Sequence, residues 1–288
     1  MRRECPRKCS KTTSVVRYGS YFRRSDSKRI PRWRCQNCLR TFSAATTNPC
    51  FGQNKRRVNH QIYWDANSKV SQRRMSLKHR INRKTVARKI KFLAIKNYKS
   101  RIDFLKKCGK SKKLQRLQFD DLVTFEHTKC KPVAISALID PETRKVLDFE
   151  VSTMAAFGKL AKISQKKYGR RRDRRRSAWN KIFRRARNYA DDEIHFQSDQ
   201  HPLYPKIVQK YFPRATHQTF KGRKSCIVGQ GELKDGGFDP LFNINHNFAM
   251  FRDNIAQLVR RSWCTTKSIN SLRRQVENYV HFHNNVLT

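Results

Sequence analysis

The chain has 288 residues, 37% of them hydrophobic and 18 of them phenylalanine, which is enough apolar material for one large domain or two to three small ones and excludes wholesale disorder. Its 66 Lys and Arg against 21 Asp and Glu give a formal net charge of +45, a surface that repels itself unless a polyanion neutralises it, so nucleic acid is the expected partner. No apolar run is long enough to span a bilayer and MRRECPRKCSKTT has no signal-like apolar stretch, so the nine cysteines are expected to be reduced and their spacing is read for metal.

The first elements, over residues 1–50, are built around two close cysteine pairs, Cys5/Cys9 and Cys35/Cys38. Two short-spaced pairs supply the four thiolates of a tetrahedral structural Zn²⁺ site, and SVVRYGSYFRR and RIPRWRC between them read as short strands, the body of a zinc ribbon. Four sulfurs leave no open coordination position, so this metal is structural. Cys50 has no nearby partner and is left out.

Residues 51–110 turn helical. VNHQIYWDANS carries Val58, Ile62, Tyr63 and Ala66 near one face; Ser71 can cap a second helix with Met75 and Leu77 inward; Asn82 can cap a third with Val86, Ile90 and Leu93 buried. The opposite face of the third helix carries Arg83, Lys84, Thr85, Arg88, Lys89 and Lys91. The pattern fits a helix-turn-helix entering the major groove, or a basic three-helix linker gripping phosphates, followed by a basic spacer.

From residue 111 the pattern is that of strands. LQFDDLVTFE, KPVAISALID and RKVLDFEVS are three in succession, with Asp140 to Thr143 as a turn between the last two. Alternation puts Asp120 with the polar set and Asp121 with the apolar one. A later strand, EIHFQSD, ends on Asp199 just before a helix expected near Pro202. Two strand aspartates can converge on hard divalent cations such as Mg²⁺ or Mn²⁺; the alternative makes Asp120 a salt-bridged strand residue and Asp199 a helix cap. His201 is placed to orient water or phosphate, but a plain surface role is the reading preferred for it. The run Arg170, Arg171, Arg172, Asp173, Arg174, Arg175 and Arg176 reads as an insertion neutralising DNA phosphates, and Arg260 and Arg261 as backbone contacts, while Trp263 is expected in the core.

Taken together, CPRKC…CQNC, SQRR…INRKTVARKIKFL, FDDLVTF, SDQHPLY and INHNFAMFRDNIAQLVRRSWCTTKSINSL resemble the DDE-type DNA transposases of the insertion-sequence-one class, in the expected order over nearly the whole chain. The resemblance implies a multi-domain α+β protein. The zinc ribbon and helix-turn-helix would bind terminal inverted repeats. An α/β ribonuclease-H-like core over residues 111–288, a mixed sheet flanked by helices, would carry a basic insertion near 165–185 and a Gly-rich one near 222–240. It also implies metal-dependent cleavage and strand transfer at Asp120 and Asp199, a homo-oligomer on double-stranded DNA, and neither membrane nor small-molecule substrate. A bacterial chain of this kind would be cytoplasmic and nucleoid-associated, a eukaryotic one nuclear. The family's third ligand, a Glu on the last core helix, aligns with Asn245, an uncharged oxygen donor; Glu232 in GQGELKDGG competes for that role on chemistry, and Asp239 and Asp253 are within reach. An inactive, DNA-binding regulator and a metal-dependent nuclease are the alternatives.

Overall fold

A computed structural model describes residues 4–7, 9, 14–24, 27–46, 48–111, 113–222, 233–234, 237–259 and 263–288. The chain divides into two compact units, Met1–Val58 and Asn59–Thr288.

In the first, β1 (Val15–Arg23), β2 (Lys28–Cys35) and β3 (Thr41–Ser43) form an antiparallel sheet in that order. Its apolar core is small: Cys5, Cys35 and Phe42 are buried, with Val15 and Trp33 against them. Such a core cannot carry the fold alone.

The second unit opens with α1 (Asn59–Ala66), α2 (Gln72–Lys78) and α3 (Arg83–Ser111). Ser71 caps α2, its hydroxyl accepting from the Arg74 N–H, and Met75 is buried as expected, but Leu77 is 73% exposed. The boundary expected at residue 110 falls elsewhere. These helices belong to the same compact unit as the sheet, because α3 runs unbroken for 29 residues and packs along α8 (Ile269–Phe282).

The sheet contains β4 (Leu114–Phe125), β5 (Pro132–Ile139), β6 (Val146–Thr153), β7 (Ala190–Asp199) and β8 (Thr216–Phe220), in the order β6-β5-β4-β7-β8. The first three pair antiparallel as a meander, and β7 and β8 lie parallel to β4. Every residue of β5 is buried, which is why PVAISALI reads as an apolar run rather than an alternation. Between β6 and β7 lie α4 (Leu160–Tyr168) and α5 (Arg175–Ala186). Trp179, Ile182 and Phe183 of α5 pack with Leu117, Phe119 and Phe196 of the sheet and with Ile207 and Val208 of α6 (Leu203–Tyr211). A second core joins Leu122, Ile135 and Val151 to Ile244, Phe248 and Phe251 of α7 (Phe242–Asn254) and Val276 of α8. The 165–185 segment is therefore not an added basic loop, because α5 supplies one of the two cores. No helix among the described residues is long and apolar enough to cross a membrane.

Near its end α3 presses Gly109 onto the turn before β7: a Cβ there would stand 2.0 Å from the Asn188 carbonyl oxygen. Gly109→Ala gains about 1 kcal/mol of helix propensity but forces two backbones apart, and overpacking of this kind costs roughly 1–3 kcal/mol or more. A lower melting temperature is expected, and an unchanged one would remove this close approach.

Candidate functional site

The four cysteines meet in the first unit. Their Sγ atoms all lie within 4.8 Å of one another, and Cys5 and Cys38 Sγ are 3.6 Å apart. Zn–S bonds of about 2.3 Å make a tetrahedron with edges of roughly 3.8 Å, so the donor set fits one Zn²⁺. Burial, and hydrogen bonds with Cys38, Cys5 and Cys35, push the Cys9 thiol up to about 12, so four thiolates in this space need a cation to neutralise them. One zinc per chain is expected. Chelation should unfold residues 1–58, seen as lost amide dispersion in NMR spectra, and leave the larger unit folded. A protein that loses no signals when its zinc is stripped would show that the ribbon folds without metal.

In the second unit the site is built where β4 and β7 run side by side. The two strands are in register at Gln118 and Gln197, whose side chains bond at 2.9 Å, and Gln118 also donates to the Pro240 carbonyl and accepts from the Ile244 N–H of α7. Two residues further along each strand, on the same face, stand Asp120 and Asp199. Each has one oxygen committed to backbone. Asp120 Oδ1 accepts from its neighbour's N–H at 2.7 Å and from the Tyr204 hydroxyl at 3.2 Å, while Asp199 Oδ1 accepts from the His201 N–H at 3.0 Å. Among the described residues the other oxygen of each accepts no hydrogen bond. Burial, and then the charge of Asp199, push the Asp120 carboxyl up to about 7. A nearby positive charge would favour the ionised form of Asp120 and lower its pKa.

This repulsion fixes a sign for stability. Asp120 ionises in the unfolded chain near 3.8 and in the metal-free fold near 7, so the charge costs the fold nothing below the lower value and its full amount above the higher. Asp120→Asn is expected to raise the metal-free melting temperature more at pH 8 than at pH 5, with the gain at pH 8 capped at about 4 kcal/mol by roughly 1.36 kcal/mol per pH unit. A pH-independent difference between variant and parent would show that neither burial nor the charge of Asp199 raises the Asp120 carboxyl.

Asp121 faces the other way, as alternation predicted. Its carboxylate accepts from the Ser136 hydroxyl and the Trp179 indole N–H, and lies 3.9 Å from Arg175. It anchors α5 to β4 beside the pair. The arginine run is only partly exposed. Arg171 pairs with Glu126 at 3.1 Å; Arg175 pairs with Asp173 at 2.7 Å and reaches His201 Nε2 at 3.1 Å; and the strap is tied to β6 by the Arg174 N–H donating to the Thr153 carbonyl. Arg170, Arg172, Arg174 and Arg176 remain exposed. Tyr204, Ser136 and the Gln118–Gln197 bond escaped the sequence reading. Their signals were an aromatic on the first turn after SDQHP and glutamines on the polar face of two strands.

Two expectations need correction. Lys89 does not belong to the basic face of α3, because it is buried and its Nζ donates to Asn59 Oδ1 at 2.7 Å. Arg83, Lys84 and Arg88 are exposed, with Thr85 half-buried. Trp263 is 101% exposed rather than core. Asn245 directs its amide N–H to Asp239 Oδ2 at 2.7 Å, and Asp253 pairs with Lys69 at 2.9 Å. Among the described residues the cysteine cluster is the only group of three or more His, Cys, Asp or Glu side chains close enough to share a cation, so no third carboxylate joins Asp120 and Asp199. Glu232, Arg260 and Arg261 lie outside the described residues.

No protein-family model matches the chain, and no curated protein gives a significant match.

Proposed function

We propose that this chain is a DDE-type DNA transposase that binds terminal inverted repeats and catalyses metal-dependent strand cleavage and strand transfer. The observation that carries this reading is the placement of Asp120 and Asp199 on the same face of adjacent parallel strands, each with one uncommitted carboxylate oxygen. Strand order β6-β5-β4-β7-β8, a three-stranded meander followed by two parallel strands, is the order a ribonuclease-H-like core requires and supports the same reading. So does the basic surface.

In this scheme Mg²⁺ or Mn²⁺ supplies Lewis-acid activation of the attacking oxygen and charge neutralisation at the phosphodiester. The chain's own residues do the positioning. Tyr204 and the Asp121 N–H hold Asp120 Oδ1, and the His201 N–H holds Asp199 Oδ1, so the remaining oxygens are fixed before DNA arrives. The exposed arginines of the strap and of α3 track phosphates. Asn245, with its N–H committed to Asp239, presents its carbonyl oxygen as the uncharged third donor; Glu232 is its competitor.

The test is incubation of the purified chain with a duplex carrying the inverted repeats that flank its gene, a target plasmid, and Mg²⁺ or Mn²⁺. Cleavage at the repeat end followed by joining of the freed 3′-OH to target is expected. Binding without cleavage would identify a DNA-binding regulator with an inactive core, and cleavage without joining a nuclease.

A further inference from the structure

The helix that presents the basic face is also a structural member of the sheet domain. Along α3 the exposed Arg83, Lys84, Arg88 and Lys91 occupy the first half, and a buried polar stripe occupies the second. Asn278 of α8 donates to the Ile90 carbonyl at 3.2 Å and accepts from Asn97 at 2.9 Å. Arg101 donates two hydrogen bonds to Glu277 of α8, at 2.9 and 3.0 Å, and reaches Asp148 of β6 at 2.6 Å. Asp148 is itself fully buried and also bonded by Arg185 of α5. Asp148 pairs in register with Leu138, and Leu138 with Phe119, the residue before Asp120. From Arg88 to Asp120 the path is thus one continuous helix, one buried ion cluster and two strand ladders, with no flexible joint.

We infer that α3 and the Asp120–Asp199 pair form one rigid body, and that this body fixes the number of base pairs between the DNA segment α3 touches and the phosphodiester that is cut. The inference rests on the transposase reading above and adds a constraint on the substrate. Arg88 precedes Arg101 by 13 residues, about 20 Å of helix, and two strand spacings add roughly 10 Å. With the width of the ion cluster, the path from Arg88 to Asp120 is on the order of 40 Å, or about 12 base pairs of B-DNA. A flexibly tethered reader domain would set no such limit.

Two measurements test this. Spin labels carried by unnatural amino acids at Arg88 and Lys129, since nine cysteines preclude thiol labelling, should give one narrow distance distribution in the free protein. It should be no wider than that of a control pair at Lys129 and Glu142, and a broad or multiple distribution overturns the rigid body whether or not the protein cuts DNA. The second measurement inserts about 5 or about 10 base pairs, half and one turn of B-DNA, between the α3 footprint and the repeat end. The cut is expected to keep its offset from the footprint and leave the native end at least tenfold less cleaved. Undiminished cleavage at the native end in both inserted duplexes refutes the fixed spacing. If the uninserted duplex is bound but not cut, the transposase reading fails, and with it the fixed cut offset, while the label distances still decide the rigid body.

Discussion

Asp120→Ala and Asp199→Ala are each expected to lower strand cleavage by at least about 10³-fold while leaving DNA binding intact. Under the proposed function these two carboxylates, side by side on the shared face of β4 and β7, would be the cation's charged ligands among the described residues, so removing either would leave it with half of them. Losing one fixed electrostatic group at a reacting phosphate costs about 10²–10³ on its own, and losing the metal costs more. The same variants separate this pair from Asp121, whose carboxylate is spent on Ser136 and Trp179. Asp121→Asn should change activity through the placement of α5, not through metal affinity. The check is the Mn²⁺ concentration giving half-maximal cleavage: shifted strongly in Asp120 and Asp199 variants and unshifted in Asp121→Asn. Wild-type cleavage in both alanine variants would remove the pair from the chemistry.

Arg101→Leu is expected to cost the fold about 3–5 kcal/mol, the range for removing one partner of a buried ion pair. Burial alone would pull the guanidinium's pKa down, but Asp148 and Glu277 together hold it above its ordinary range. Without it Glu277 keeps no ion-pair partner among the described residues, and Asp148 keeps only Arg185. A purely packing role would be rescued by Leu or Met; an ionic one would be rescued only when Glu277 is replaced by Gln or Leu in the same chain. Denaturant unfolding of the single and double variants measures the difference. Equal stability of Arg101→Leu and wild type would mean that the cluster holds nothing together.

Much of this arrangement was legible in the sequence because it rests on local rules. Period-two alternation separated Asp120 from Asp121, cysteine spacing selected the four thiols, and Ser71 announced α2. The misreadings share a cause. Lys89 was placed on the exposed face because charge alone was read. Its ammonium finds Asn59 thirty residues earlier, a pairing that no local pattern shows. The arginine run was read as an insertion, yet its internal members are fixed by Glu126, Asp173 and His201, one on β4's end and another just past β7. Trp263 is large and apolar and so was expected in the core, while Leu77, only two residues after Met75, points to the other side of α2. Buried polar partners supplied by distant segments are where the one-dimensional reading ran out.

The contact between α3 and α8 also bears on how the protein is made. The stripe of α3 containing Asn97 and Arg101 is covered by Asn278 and Glu277, which follow these residues by 181 and 176 positions in the chain. The α3 stripe therefore stays uncovered until α8 has been synthesised, and a chain truncated before α8 carries an exposed arginine–asparagine seam. Folding of α3 waits for α8.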